Sequence, residues 1–304
     1  MDRENEVTII GAGPAGIAAA IYLKRADLDP IVLEKQQPGG LLRHAHLVEN
    51  YPGYSQGITG AVLADFLVEH LRKLGVPIMA SEVQYIGQKN DAFRIKTNKE
   101  AFVSSTIIIA SGTTPKKIQI NGTTGLEGSQ IFYEPFLIPH QRTRRKKRIL
   151  VIGGGDIAFD YTLTLLEWGF DVNILSRSEP SCLPLLQKRV LEKGACLRTF
   201  CTVEKIRKNH NELSLFCRRH GDQMEVAADF ILIACGRDPN TSFLSRSLTK
   251  YLNDKIGFPL TSLPGLYFAG DVIRGGYRQT GVAVGDGIHA AMMVQRYLKD
   301  KGGV

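Results

Sequence analysis

The sequence has little that would carry it into a membrane or hold it together covalently. No apolar run reaches the roughly 18 residues that a membrane span needs, and the first apolar stretch is broken by Gly11, Gly13, Pro14 and Gly16. The opening Met1-Asp2-Arg3-Glu4-Asn5-Glu6 is polar and of mixed charge, unlike a signal peptide. These absences predict a soluble cytoplasmic protein. Cysteines number five, at positions 182, 196, 201, 217 and 235, and no pair has C-x-x-C spacing. An odd count without that spacing argues against a disulfide framework and against a zinc site, so each cysteine reads as a small buried hydrophobe.

Negative charge is also in deficit. The net charge is +8, and six cations fall within Arg142-Thr143-Arg144-Arg145-Lys146-Lys147-Arg148. Such a run is either a solvated loop before a strand or a landing site for an acidic partner. No aromatic residue interleaves with it, which argues against nucleic acid. With 304 residues, 43% hydrophobic and 22% charged, the chain suits two ordinary globular domains with large cores.

What is present is one unit written twice. Val7-Thr8-Ile9-Ile10 reads as a short buried strand, turning through Gly11-Ala12-Gly13-Pro14-Ala15-Gly16 into a helix with Gly16, Ala19, Ala20 and Leu23 on one face. Asp29-Pro30, a second strand Ile31-Val32-Leu33, and Glu34 follow. In a G-x-G-x-x-G turn the first glycine permits the tight bend, the second lets the backbone approach a pyrophosphate, and the third lets helix and strand pack closely. The helix N-terminus offers free N–H groups and the positive end of its dipole to phosphate. An acid at the position of Glu34 binds ribose hydroxyls.

The second unit runs Arg148-Ile149-Leu150-Val151-Ile152, then Gly153-Gly154-Gly155-Asp156-Ile157-Ala158. Its helix is predicted to reach about Trp168, Gly169 closes it, and Val172-Asn173-Ile174-Leu175 is the next strand. Glu34 stands 23 positions after Gly11, and Ser176 stands 23 after Gly153. A serine followed by Arg177, where the first unit has an acid, suits a 2′-phosphate and favours NADPH over NADH, though Glu179 lies nearby.

Two crossings join the units. Strand Thr106–Ala110 leads into Ser111-Gly112-Thr113-Thr114-Pro115, and Phe230–Cys235 leads into Gly236-Arg237-Asp238-Pro239-Asn240. They predict an α/β protein of two Rossmann-like, three-layer dinucleotide-binding domains, the second inserted in the first: residues 1–114 with 241–304 for FAD, and 115–240 for NAD(P)H. The returning segment Gly265–Val272 ends in Gly270-Asp271, which is either a turn or a contact to the FAD ribityl or pyrophosphate. A helix starting near Gln279 would aim its dipole at a flavin ring.

Taken together, Gly11–Gly16, Glu34, Gln37–Leu41, Val48–Gly53, Ala110–Gly112, Gly153–Ala158, Gly236–Asn240, Gly270–Val272 and Tyr277–Gln279 resemble the thioredoxin reductase-like branch of the two-dinucleotide flavoproteins, over nearly the whole chain. The resemblance implies FAD contacts at Gly11, Gly13, Pro14, Ala15, Glu34, Lys35, Gly40, Leu41, Asn50, Val83, Gly112, Gly270, Asp271, Arg278, Gln279 and Thr280. It implies nucleotide contacts at Gly153, Gly155, Asp156, Ile157, Ser176 and Arg177, and a homodimer.

Two departures narrow it. The stretch Ile131-Phe132-Tyr133-Glu134-Pro135-Phe136-Leu137-Ile138-Pro139-His140 holds no cysteine where thioredoxin reductases carry a redox C-x-x-C, so a dithiol relay has no carrier there. Of the family's three arginines for the 2′-phosphate, Arg177 alone remains. The chain is in these respects more similar to the ferredoxin–NADP reductases of the same fold, which also lack the dithiol, although it lacks their C-terminal extension. Tyr133 or Phe136 is then either a flavin-face residue or a core aromatic, and Arg43, His44 and His46 either face the flavin or a substrate or lie in a solvated loop. The expected activity is hydride transfer between NAD(P)H and flavin, with electrons passed to an acidic ferredoxin- or flavodoxin-like protein docked at Arg142–Arg148, and no residue is required as a catalytic base. The alternatives are an oxidase or reductase of a small acceptor (quinone, disulfide or oxygen) and a low-turnover flavin-bound sensor.

Overall fold

The computed structural model describes residues 3–139, 146–253 and 261–302. In chain order the first stretch forms β1 (Arg3–Ile10), α1 (Pro14–Arg25), β2 (Ile31–Glu34), α2 (Gly60–Lys73), β3 (Ile78–Ala80), β4 (Val83–Lys89), β5 (Ala92–Thr97) and β6 (Ala101–Ile109). After the crossing strand β7 (Thr113–Pro115) come β8 (Ile131–Phe132), β9 (Arg148–Ile152), α3 (Asp156–Glu167), β10 (Asp171–Leu175), α4 (Pro184–Glu192) and β11 (Cys196–Arg198). Three antiparallel strands follow, β12 (Cys201–Asn209), β13 (Glu212–Arg219) and β14 (Asp222–Ala228), then β15 (Phe230–Ile233). The return crossing is β16 (Arg237–Pro239), and α5 (Arg246–Thr249), β17 (Leu266–Phe268) and α6 (Thr280–Gly302) complete the chain.

The chain divides into two compact units, Met1–Thr114 with Pro239–Val304, and Pro115–Asp238. In the first, parallel strands run β3-β2-β1-β6, with β17 beside the end of β6 and the β4–β5 hairpin beside its start. In the second, all five strands of β11-β10-β9-β15-β8 are parallel. Both sheets reverse winding direction at their first strand, β1 or β9, and the crevice outside the carboxyl ends at such a reversal is where open α/β sheets bind ligands.

Strand alternation gives each sheet two buried faces. In the first unit Val7, Ile9, Val32, Ile108 and Tyr267 pack under α1, α2 and α6. Ile10, Leu33, Ile107, Ile109 and Phe268 face the hairpin residues Ile86, Phe93 and Ile95, together with Phe243 and Leu248. In the second unit Ile149, Val151, Val172, Ile174 and Leu232 lie under α3 and α4. Leu150, Leu175, Ile231 and Ile233 lie on the β12–β14 meander. Each unit therefore has three layers, and the third is largely β rather than helical.

The helix of the second unit ends at Glu167, with Trp168 as its cap and Gly169 at φ +87°. No helix among the described residues is long and apolar enough to cross a membrane. Cys182, Cys201 and Cys217 are buried and Cys235 is half-buried, but Cys196 is exposed on the edge strand β11. The basic run also differs from its reading as one patch. Residues 142–145 and His140 lie outside the described residues. Arg148 lies within β9 and pairs with Glu212 and the buried Asp229, and Lys147 reaches the same Asp229 at 3.8 Å. A buried carboxylate needs such counter-charges, so two of the cations serve the unit's own interior, and Lys146 stays exposed.

Candidate functional site

The first glycine-rich turn leaves β1 under strict steric control. Gly11 has φ +105°, and a Cβ there would stand 2.4 Å from the Ala110 carbonyl oxygen, so only glycine fits. Its N–H donates to Leu33 at 2.8 Å, tying the turn to β2. Gly13 then caps α1 in extended geometry, with Pro14 at the first helical position and no side chain capping the first turn. Proline is suited there because it lacks an N–H that would be unsatisfied.

Space above Gly13 is open. Its built Cβ meets only Gly40 Cα, at 4.0 Å. The segment after β2 folds over the turn, with Gly39 N–H donating to Ala12 at 2.7 Å. Two bare backbones, Gly13 and Gly40, thus flank the uncapped start of α1, where peptide dipoles concentrate about half a positive charge. Their open cradle fits a pyrophosphate.

Glu34 ends β2 and braces this cradle. Its Oε2 accepts from Ala12 N–H at 2.7 Å and its Oε1 from Gln36 N–H at 2.8 Å. A cleft of about 300 Å³ borders it, lined also by Gln36, Pro38, Arg72, Ile78 and Ala80. Lys35 points to Glu82 at 4.0 Å, beside Val83 at the start of β4. Replacing Glu34 by alanine strands the N–H of Ala12, a residue with 0% exposure. Losing a hydrogen bond to a charged group and leaving a buried donor costs about 1–3 kcal/mol. Glu34→Ala is expected to lower the thermal midpoint by a few degrees, at about 2–4 °C per kcal/mol for a domain of this size. It should also elute free of flavin on gel filtration, and retention of full flavin would refute the assignment.

Arg43 is neither a solvated-loop residue nor a flavin-facing one by its contacts. Its Nε and Nη2 donate to the Pro38 carbonyl at 2.9 and 2.7 Å, and Nη1 to Asp65 at 2.8 Å. It clamps the segment that carries Gly39, Gly40 and Leu41 onto α2. His44 and His46 are half-buried in the same segment.

The return segment reaches the same turn. Gly270 has φ +77°, and a Cβ on it would lie 2.8 Å from Ala15 Cβ. Its N–H donates to Asp286 at 3.2 Å, and Arg274 grips the same carboxylate, Nε at 2.8 Å. Asp286 is 4% exposed within α6, so it fixes the turn bearing Asp271 from behind. This residue carried no reading in the sequence, although an acid in the Ala-, Gly- and Met-rich first half of that helix was a signal. Asp286→Ala is expected to cost about 1–3 kcal/mol, read by thermal unfolding with excess FAD. Faster flavin loss on dilution should accompany it. Unchanged flavin retention would mean that the pair braces α6 alone.

Asn50 and Gln279 are brought together, Nδ2 donating to Oε1 at 2.8 Å. Arg278 is half-buried beside Gln279, and Thr280 opens α6. Gly112 is held by the return crossing, its carbonyl accepting from Asn240 N–H at 3.0 Å.

The second unit repeats the arrangement with differences. A Cβ on Gly153 would stand 2.4 Å from the Ala234 carbonyl, and Gly153 N–H donates to Leu175 at 3.0 Å. Gly155 caps α3 and is open, its built Cβ meeting only Ser181 Oγ at 3.9 Å. Asp156 accepts the Leu183 N–H at 2.8 Å, and Ser181 N–H donates to the Gly154 carbonyl at 2.8 Å, so the loop after β10 is tied beside the turn. Ile157 is 36% exposed. Ser176 is 3% exposed and packs on Gly154, whereas Arg177 is exposed. Of the pair expected at a 2′-phosphate, the arginine is the accessible one.

Tyr133, which follows β8, donates to Glu127 at 3.2 Å, with Lys117 5.6 Å above its ring. Burial and the Glu127 charge push its hydroxyl up to about 12. Next to it Glu134 is buried, accepting from Tyr161 at 2.5 Å and pairing with Arg237 at 2.7 Å. Burial and the Glu134 carboxylate hold Tyr161 well above its ordinary range.

A model of the pyridine nucleotide-disulphide oxidoreductase family matches residues 5–287. The thioredoxin reductase of Treponema pallidum is 29% identical over 312 residues, 98% of this chain and 98% of that protein. Among solved structures, Lactococcus lactis thioredoxin reductase has a TM-score of 0.88 at 30% identity, covering 97% of this chain and 99% of that one. The T. acidophilum thioredoxin reductase has a TM-score of 0.85 at 28% identity, with the same coverage.

Proposed function

Because the chain belongs to the pyridine nucleotide-disulphide oxidoreductase family, we propose that it binds FAD at the first glycine-rich turn and NADPH, in preference to NADH, at the second, and passes electrons to an external acceptor without a dithiol of its own. The observation that carries this reading is the pair of open glycine caps, Gly13 and Gly155, at the starts of α1 and α3. When bound, FAD supplies hydride exchange with the nicotinamide and release of electrons to the acceptor.

The chain's part is binding and orientation. Gly13, Ala15 and Gly40 admit the FAD pyrophosphate. Glu34 uses one lone pair of each oxygen on backbone N–H groups, and a carboxylate has about four such sites, so ribose hydroxyls can share it. Asp271, Arg278, Gln279 and Asn50 lie at the flavin end. In the second unit Gly155, Asp156 and Ile157 receive the nucleotide pyrophosphate, and Arg177 the 2′-phosphate.

Residues 131–139 contain no cysteine, which supports an acceptor other than thioredoxin reached through an internal dithiol. The acceptor is an acidic ferredoxin- or flavodoxin-like protein drawn by the basic run, the protein acting as a homodimer in the cytoplasm. A small acceptor such as a quinone is the second reading. It is favoured by the internal pairing of Lys147 and Arg148, which leaves less free charge for docking.

Anaerobic rapid mixing tests the core of this reading. NADPH should bleach the flavin visible band faster than NADH does. If neither nucleotide reduces the flavin, the reading fails. Turnover with reduced-salt dependence on ferredoxin and none on quinone separates the two acceptors.

A further inference from the structure

Away from both glycine-rich turns, the meander of the second unit gathers three sulfur atoms. Cys201 on β12 and Cys217 on β13 are 3% and 1% exposed, and Met224 on β14 is half-buried. Register places them on one face. Cys217 lies directly between Val203 and Met224 on its two neighbours, and Cys201 is two residues along from Val203. Although Cys201 and Met224 belong to the outer strands, Cys201 Sγ stands 3.9 Å from Met224 Sδ. Cys217 sits on the strand between them, its Sγ donating to the Leu215 carbonyl at 3.7 Å.

We propose that Cys201, Cys217 and Met224 form a three-sulfur site for a soft monovalent metal ion of the Cu(I) type. Thiolate and thioether ligands select Cu(I) over harder ions. A metal about 2.3 Å from each of three sulfurs in a trigonal plane requires sulfurs about 4.0 Å apart, and Cys201 Sγ and Met224 Sδ stand 3.9 Å apart. Two thiol protons leave to solvent, two metal–thiolate bonds and one metal–thioether bond form, and the metal keeps its oxidation state.

The surroundings suit that product. Two thiolates and one monovalent ion leave a single negative charge. Burial pushes both thiols up, and Glu204 adds to this at Cys217, while Arg198 lies close enough to favour the thiolate of both cysteines and Arg219 that of Cys201. Leu126, Ile206, Leu213 and Leu215 complete a dry apolar shell. Met224, as the least buried ligand, gives the ion its entry. Zn(II) prefers four N, S or O ligands, and among the described residues no three His, Cys, Asp or Glu side chains converge.

The test is an anaerobic titration of the full chain with Cu(I) held by bicinchoninate. Cys196→Ser and Cys235→Ser are introduced first, to remove the accessible thiols. One equivalent should leave the chelator, with three sulfur neighbours at about 2.3 Å by X-ray absorption. Met224→Leu conserves volume, and should weaken binding at least tenfold and leave two sulfur neighbours. Cys217→Ala should abolish binding. Failure to draw Cu(I) from the chelator would overturn the proposal. So would undiminished binding in Met224→Leu, which keeps the test decisive if the cysteine variant does not fold.

Discussion

A Gly155→Val chain is expected to fold, stay yellow with FAD, and lose reduction by NADPH. The built Cβ at Gly155 meets nothing closer than Ser181 Oγ at 3.9 Å, and its φ of −96° is open to any residue. The Cβ of a valine there therefore clashes with no protein atom, and its methyl groups extend into the space beside the start of α3 that the nucleotide would use. Two charge-assisted hydrogen bonds to pyrophosphate, each about 1.5–3 kcal/mol, would be lost. At about 1.4 kcal/mol per decade, nucleotide affinity should fall roughly 10²–10⁴-fold. Valine is a poorer helix cap than glycine, by about 1 kcal/mol, so the thermal midpoint should drop by only a few degrees. The measurement is flavin reduction against NADPH concentration, with dithionite reduction as the control that the flavin itself is intact. Reduction by NADPH at the parent concentration dependence would place the nucleotide elsewhere in the chain.

The two units were legible because their signals are local. A buried strand, a glycine turn, an apolar helix face and a second strand follow within about 25 residues, and the structure places β1–α1–β2 and β9–α3–β10 on those residues. The β12–β14 meander went unread for a physical reason. Its strands carry Lys205, Arg207 and Arg218 on the side away from the sheet, with Lys208 and Arg219 near the strand ends, so composition there resembles a charged loop, and only the pairing reveals alternation. The helix α2 also went unread, although Leu63, Leu67, Val68 and Leu71 recur at helical spacing. Partners distant in sequence were out of reach. Arg43 with Asp65, Arg148 with Glu212, and Arg274 with Asp286 give no local pattern, and each changes what its cation is free to do.

Gly16→Ala is expected to do more damage than any substitution at Gly13, although the sequence pattern allows glycine or alanine at this third position. The second unit makes that choice itself, with Ala158, fully buried. The two turns are not interchangeable. A Cβ on Gly16 would stand 1.9 Å from the Gly11 carbonyl oxygen and 3.3 Å from Ile9 Cγ2, so the obstruction is backbone and cannot rotate away. In the second unit this position accommodates a real Cβ, that of the fully buried Ala158. The first turn is also pressed from the other side, since a Cβ on Gly287 in α6 would come within 2.0 Å of the Ala15 carbonyl. With α6 fixed against it, α1 has no room to move outward. Overpacking in a rigid core costs about 1–3 kcal/mol and sometimes more, and here it also displaces Gly11 and the N–H of Ala12. Gly16→Ala should therefore lose at least about 3 kcal/mol by denaturant unfolding and be recovered without FAD. Gly13→Ala, facing open space, should keep the parent stability to within about 1 kcal/mol while binding FAD more weakly. Equal stability of the two variants would show that α1 can shift away from β1, and that close packing at Gly16 is not what fixes the first turn.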